Sequence, residues 1–242
     1  MEKSVSEAVS FRRSIRSYQK IDIDDNKVAN CLKNACLAPS SSNLQLWEFY
    51  HITSRKKIEE ISDACFNQPA AKTANHFVVF IARKDLWRRR VKSNLDFLNR
   101  SFDNNSLDER LRKRKKQVNN YYTKLIPGLY SDFFGIFGLI KFIICYLIGL
   151  FRPVYRQTRL SDMRIVAHKS CALAAQNFMI SMAAIGYDTC PMEGFDSNLV
   201  KQILGLPNLA EVNMVVSCGI RESSGVYGHQ YRVPFEEVYY LV

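Results

Sequence analysis

Three features of this 242-residue chain predict an α+β fold with a central mixed or antiparallel sheet flanked by helices. Short strand-like runs alternate with helical ones without a regular β-α-β period, which argues against a doubly wound parallel sheet. One long apolar helical stretch, residues 165–185, is suited to the centre of a core. A strongly charged block followed by an apolar one, residues 83–160, interrupts the pattern and reads as a helical insertion into a single domain spanning 1–242.

The elements follow in order. Val5, Ala8, Val9 and Phe11 share one helical face, and Val28, Cys31, Leu32, Ala35 and Cys36 repeat that spacing across 25–38, so two amphipathic helices open the chain. Trp47 to Ile52 alternates and is rich in aromatics, as a strand does. Lys56 to Cys65 is helical in pattern, and His76 to Ala82 reads as a strand buried on both faces. Asn213 to Cys218 is a further short strand, and Asp196 is placed as the N-cap of a helix before it.

Formal net charge is +11, and its distribution is uneven: +2 across 1–82, +13 across 83–169 and −4 across 170–242. Seven cysteines form an odd set without a C-x-x-C pair, so neither a disulfide framework nor a zinc ribbon is suggested and a reducing cytosol fits. The N-terminus lacks the apolar core of a signal peptide, so a cytoplasmic protein is expected.

Within the insertion, Arg88–Arg90 and the run Arg112 to Lys116 are expected on exposed helices. Phe133 to Phe151 then runs 19 residues whose one charge is Lys141. That length only just reaches the ~20 residues of a membrane span. An in-plane segment at an anionic membrane surface, or a lid buried against a dimer partner, are the two readings left open.

No G-x-G-x-x-G, G-x-x-x-x-G-K-[ST] or H-E-x-x-H occurs, and the four histidines, 51, 76, 168 and 229, are scattered, so neither a Rossmann site nor a metalloenzyme is indicated. Three stretches carry possible chemistry. Arg12, Arg13, Ser14 and Arg16 offer guanidinium forks and a hydroxyl suited to a phosphate, although a solvated helix end has the same composition. Pro39, Ser40, Ser41, Asn43 and Gln45 form a polar turn ahead of Trp47, whose amides and hydroxyls match ring heteroatoms; an ordinary loop would also read so. Pro191, Met192, Glu193 and Gly194, followed by Phe195, make a turn able to aim backbone amides at a ligand, or a plain helix connection.

In order and wording these three stretches resemble the nitroreductase family, over residues 5–82 and 164–242. The resemblance implies an FMN-binding fold in which Arg12, Arg13, Ser14 and Arg16 grip the phosphate and ribityl chain. The family's P-S-S-x-N-x-Q-P-W turn matches Pro39, Ser40, Ser41, Asn43, Gln45 and Trp47, with Leu46 in place of the proline. Its P-x-E-G-F turn, set against the reactive edge of the flavin, matches Pro191 to Phe195. Its C-terminal K-x-R-x-P matches Arg232 and Pro234, with Gln230 replacing the lysine. Asn67 is carried over as a pyrimidine-ring contact.

The implied activity is transfer of hydride from NADH or NADPH through flavin N5 to a nitroaromatic, quinone or related acceptor, in a ping-pong scheme without a catalytic side chain. A homodimer with an exchanged C-terminal arm is implied too, and Cys190 is assigned to packing. Two other classes compete: a flavin-binding protein without turnover, and a nucleic-acid-binding protein using the basic insertion, which has no recognisable reading motif.

Overall fold

The computed structural model describes residues 2–101, 108–131 and 135–242. Four antiparallel strands, β1 (Trp47–Ile52), β2 (His76–Ala82), β3 (Asp188–Met192) and β4 (Glu211–Gly219), form one sheet in the order β1-β2-β4-β3. Among the described residues, parallel pairing is confined to an isolated bridge between Ser14 and Thr189, so the sheet is antiparallel rather than mixed.

β2 lies inside the sheet and all seven of its residues are buried. Its alternate residues feed two cores: Val78 and Phe80 pack on one side with α2 (Asp25–Ala35) and α9 (Leu160–Ala184), while Phe77, Val79 and Ile81 pack on the other with α3 (Arg55–Ala64) and α10 (Ser197–Leu204). That alternation is the two-residue period of a strand, here with apolar groups on both faces. Helix α9 presents Ala167, Ser170, Cys171, Ala174 and Ala175 as buried residues, small enough for close approach to α1 (Val5–Phe11), α2 and the sheet.

Caps define the helix starts. Ser4 and Glu7 form a reciprocal capping box on α1, and Asp24 accepts from the amides of Asn26 and Lys27 on α2. Asp196 caps α10 as expected, accepting from Asn198 and Leu199. α9 begins at Leu160, five residues before the start read from the sequence, because Asp162 accepts from the Arg159 amide (2.9 Å) and holds the first turn.

Pro191 and Met192 fall inside β3 and not in a turn. β3 is the outer strand next to β4, where a missing N–H costs no ladder bond on its free side, so a proline is tolerated. The turn itself begins at Glu193.

The insertion is helical: α5 (Trp87–Ser101), α6 (Glu109–Asn120), a π-turn over Tyr121–Leu125, α7 (Ile126–Tyr130) and α8 (Ile136–Ile148), with α4 (Pro69–Lys72) a short turn before β2. Val91, Ile126 and Tyr130 join the core that α9 shares. α8 is different. Ile136, Leu139, Ile140, Ile143, Ile144 and Leu147 are each about half exposed, whereas Lys141 turns inward and donates to the carbonyls of Gly128, Leu129 and Ser131. Phe133, at the start of the apolar run, lies outside the described residues. Among the described residues no helix is long and apolar enough to cross a membrane.

Candidate functional site

The basic stretch leaves α1 in extended form and is stitched to the β3 edge. Ile15 donates its amide to the Thr189 carbonyl (3.3 Å) and Arg16 donates its amide to Gly225 (2.8 Å). Gly225 is required there: a Cβ would lie 2.3 Å from the Ser17 carbonyl oxygen. Arg13 donates a side-chain bond to the Gly228 carbonyl (3.1 Å), which draws the C-terminal segment bearing Arg232 towards the same place.

Arg12, Arg13, Arg16 and Arg232 form no ion pair with a carboxylate among the described residues. Burial, and then the neighbouring Arg232, push the Arg12 guanidinium below its ordinary value. Like charges held together without counter-charge are costly, and an anion relieves that cost. The cradle therefore fits a phosphate on its donor chemistry.

Sequence reasoning missed the pair that holds this cradle. Asp188 is 3% exposed and accepts three bonds from Arg221: from its amide (2.7 Å), Nε (2.9 Å) and Nη2 (2.5 Å). Arg221 also donates to the Phe11 carbonyl (3.0 Å) and lies over the Phe11 ring at 4.0 Å. It thus fixes the residue immediately before Arg12. A sequence cue existed only in type, since an Asp and an Arg 33 residues apart carry no spacing signal.

Next along β3, Cys190 is fully buried. Burial pushes its thiol up more than Arg16 and Arg12 pull it down, which agrees with a packing role. Glu193 and Gly194 emerge exposed past the strand end. Their turn is seated on the α3–α4 loop: Gln68 donates to the Gly194 carbonyl (3.0 Å), and Asp196 donates its amide to Ala64 (2.8 Å). Asn67 belongs to that loop, with φ +48° and its own side chain occupied by Ser62 (3.1 Å) and Asp63 (2.8 Å).

The polar turn is built elsewhere. Ser42, Asn43 and Gln45 have φ of +55°, +50° and +47°, so the chain folds tightly between α2 and β1. Ser40 accepts from the Gln45 amide (3.1 Å), Ser41 donates its amide to Ser170 of α9 (3.4 Å), and Asn43 exchanges bonds of 3.0 Å with Asn94 of α5. Ser42 meets Tyr121 (2.5 Å) and Tyr122 (2.9 Å) of the π-turn. Pro39 is exposed at its start. An open cleft lined by Asn43, Gln45, Arg90, Ser93, Asn94 and Phe97 lies beside it.

One chain therefore carries two groups. Arg12, Arg13, Ser14, Arg16 and Arg232 lie beside β3 near Thr189, Pro191 and Met192 are within it, and Glu193, Gly194 and the Asn67 loop follow past its end, while Pro39 to Gln45 is wired to α5, α9 and the π-turn. Among the described residues no hydrogen bond or ion pair joins the two groups.

The fold and this paired arrangement define a class: an antiparallel α+β scaffold presenting an anion cradle and a separate polar loop. The profile of the nitroreductase family matches residues 9–220, and the chain belongs to that family. A provisionally named NAD(P)H nitroreductase of Staphylococcus epidermidis is 24% identical over 238 residues, covering 94% of this chain and 92% of its own. A provisionally named nitroreductase of Bacillus subtilis superposes with a TM-score of 0.72 at 21% identity, covering 98% of both chains. One from Exiguobacterium sibiricum, solved in complex with FMN, gives 0.67 at 20% identity, covering 99% of this chain and 98% of that one. At such identity the structures speak to the fold.

Proposed function

We propose that the chain is an FMN-dependent oxidoreductase that takes hydride from NADH or NADPH and passes it to nitroaromatic, quinone or related acceptors in alternating, ping-pong turns. The observation that carries this reading is the set of four arginines gathered at β3 without carboxylate partners. The FMN bound to the Exiguobacterium sibiricum neighbour and the NAD(P)H in the name of the Staphylococcus epidermidis relative support it.

FMN, when bound, supplies the hydride-carrying centre. Arg12, Arg13, Arg16 and Arg232 neutralise its phosphate, and Ser14 adds a hydroxyl. Pro39, Ser40, Ser41, Asn43 and Gln45 shape and hydrogen-bond the polar edge of the ring, as does Asn67. Pro191, Met192, Glu193 and Gly194 set backbone against its reactive side. No side chain transfers a proton in this scheme.

A homodimer unites the two groups, with the polar loop of one subunit facing the arginine cradle of the other. The exposed C-terminal residues Phe235, Tyr239 and Tyr240 supply apolar surface for it.

Region 83–160 gives the enzyme its own surface. The uncharged outer face of α8, in a segment of chain with net charge +12, suits an anionic bilayer better than a second, equally basic copy. Peripheral attachment would bring lipid-soluble quinones to the flavin.

The test is the visible spectrum of purified protein, followed by NADH and NADPH added without oxygen. Loss of the flavin band, restored by menadione or a nitroaromatic, is expected. A protein that cannot be loaded with FMN would overturn the reading. Flotation with phosphatidylglycerol vesicles and with phosphatidylcholine vesicles tests attachment separately: binding to the first at low salt is expected, and indifference to both removes the membrane role alone.

A further inference from the structure

Where the N-terminus of α2 meets the β1–β2 pair, three side chains of metal-ligand type converge away from the cofactor cradle. His51 of β1 is paired in register with Val78, so His76, two residues back along β2, is its diagonal neighbour on the same face. Their ring centroids are 5.1 Å apart, and His51 Nε2 stands 3.2 Å from His76 Nδ1. Asp25, the first residue of α2, brings Oδ1 to 3.4 Å from His76 Nε2. One ligand atom from each residue can be chosen so that all lie within 4.8 Å of one another.

We propose that Asp25, His51 and His76 bind a single divalent transition-metal ion of the zinc class, with water completing its coordination. Around a tetrahedral ion whose metal–nitrogen distance is ~2.0–2.1 Å, neighbouring ligand atoms sit about 3.4 Å apart; the 3.2 and 3.4 Å separations here involve different nitrogens of His76, so an ion held by one of them draws the third ligand atom in from within 4.8 Å by a side-chain rotation. Imidazole nitrogen with one carboxylate is a donor set for zinc, nickel or copper rather than magnesium or calcium. His76 is 7% exposed and rigid in the sheet, whereas Asp25 faces solvent, which gives the ion a path of entry.

Asp22 adds a further negative charge near His76, and its partner Arg55, at 3.6 Å, adds a positive one. Binding would clamp the start of α2 to β1 and β2. Its role is thus structural, and it stands whether or not the flavin reading does.

The experiment uses untagged, FMN-loaded protein, stripped with chelator and carrying Cys36→Ser to remove the exposed thiol. Titration with Zn2+ is followed by calorimetry and by melting temperature, and titration with Co2+ by its visible absorption. One ion per chain, a rise in melting temperature, and loss of tenfold or more in affinity in His76→Gln and in His51→Gln are expected. Asp25→Asn is expected to weaken binding without abolishing it. His51→Gln keeps the test valid if the buried His76→Gln fails to fold. Absence of binding, or binding unchanged by His51→Gln, overturns the proposal.

Discussion

β2 and α8 are both apolar in sequence, HFVVFIA and IFGLIKFIICYLI, yet they meet opposite fates. Every residue of β2 is buried between two helical layers. In α8 the inner side carries Gly138, Lys141, Phe142 and Cys145, and the outer side leaves isoleucines and leucines about half exposed. The lone lysine is spent on the C-terminal carbonyls of α7 and keeps no charge on the outer side. Apolar composition thus states that a segment needs cover, while the position of its polar groups states where that cover comes from. For β2 it comes from this chain. For α8 none of the described residues covers the outer face, and the proposed bilayer is what would.

The sharpest way to break the comparison is to truncate the two regions equally. Phe80→Ala in β2 removes a ring packed against Phe49 and Phe178 and is expected to cost ~3–5 kcal/mol, read as a collapse of the denaturation midpoint. Arg221→Met strands the buried carboxylate of Asp188 and is expected to cost about 3 kcal/mol. It should also weaken FMN binding, because Phe11 loses its anchor ahead of Arg12. Loss of stability with unchanged FMN affinity would show that the cradle does not depend on this pair.

Smaller effects sharpen the site. Arg12→Gln should leave the fold intact and weaken FMN 10- to 100-fold, the worth of one charge-assisted contact at ~1.5–3 kcal/mol, measured by flavin fluorescence on dilution. If the site is shared between subunits, mixing Arg12→Gln protein with Asn43→Ala protein should restore about a quarter of the native activity, since half the dimers are mixed and one of their two sites is intact. No recovery after exchange of subunits would place both groups in one chain's site.

Which parts were legible follows from the range of the signal. β2 announces itself through β-branched and aromatic residues with no polar interruption, and the cap at Asp196 sits beside the helix it starts. Pro191 misled because proline reads as a turn, whereas its place on an outer strand depends on strand order. The cradle was legible as a cluster of arginines, but its isolation from Asn43 and Gln45 was not. His51 and His76 looked scattered because only the β1–β2 register brings them together. Local chemistry is written locally; whatever depends on register or strand order is not.

The smallest change in stability carries the most information about α8. Ile140→Ser with Ile144→Ser adds two hydroxyls at positions already half in water, so little burial is lost and the denaturation midpoint should move by no more than ~0.5 kcal/mol per site. The same pair lies one turn apart on the outer face and removes apolar area that a bilayer would cover. Flotation with phosphatidylglycerol vesicles is therefore expected to fall sharply while FMN content and menadione reduction in solution stay at the native level. A large drop in stability instead would mean that another part of the protein, such as a second subunit, covers this face, and α8 would join β2 as interior. Stability and flotation both unchanged would shift the attachment to the arginines alone, which raised salt would then reverse completely.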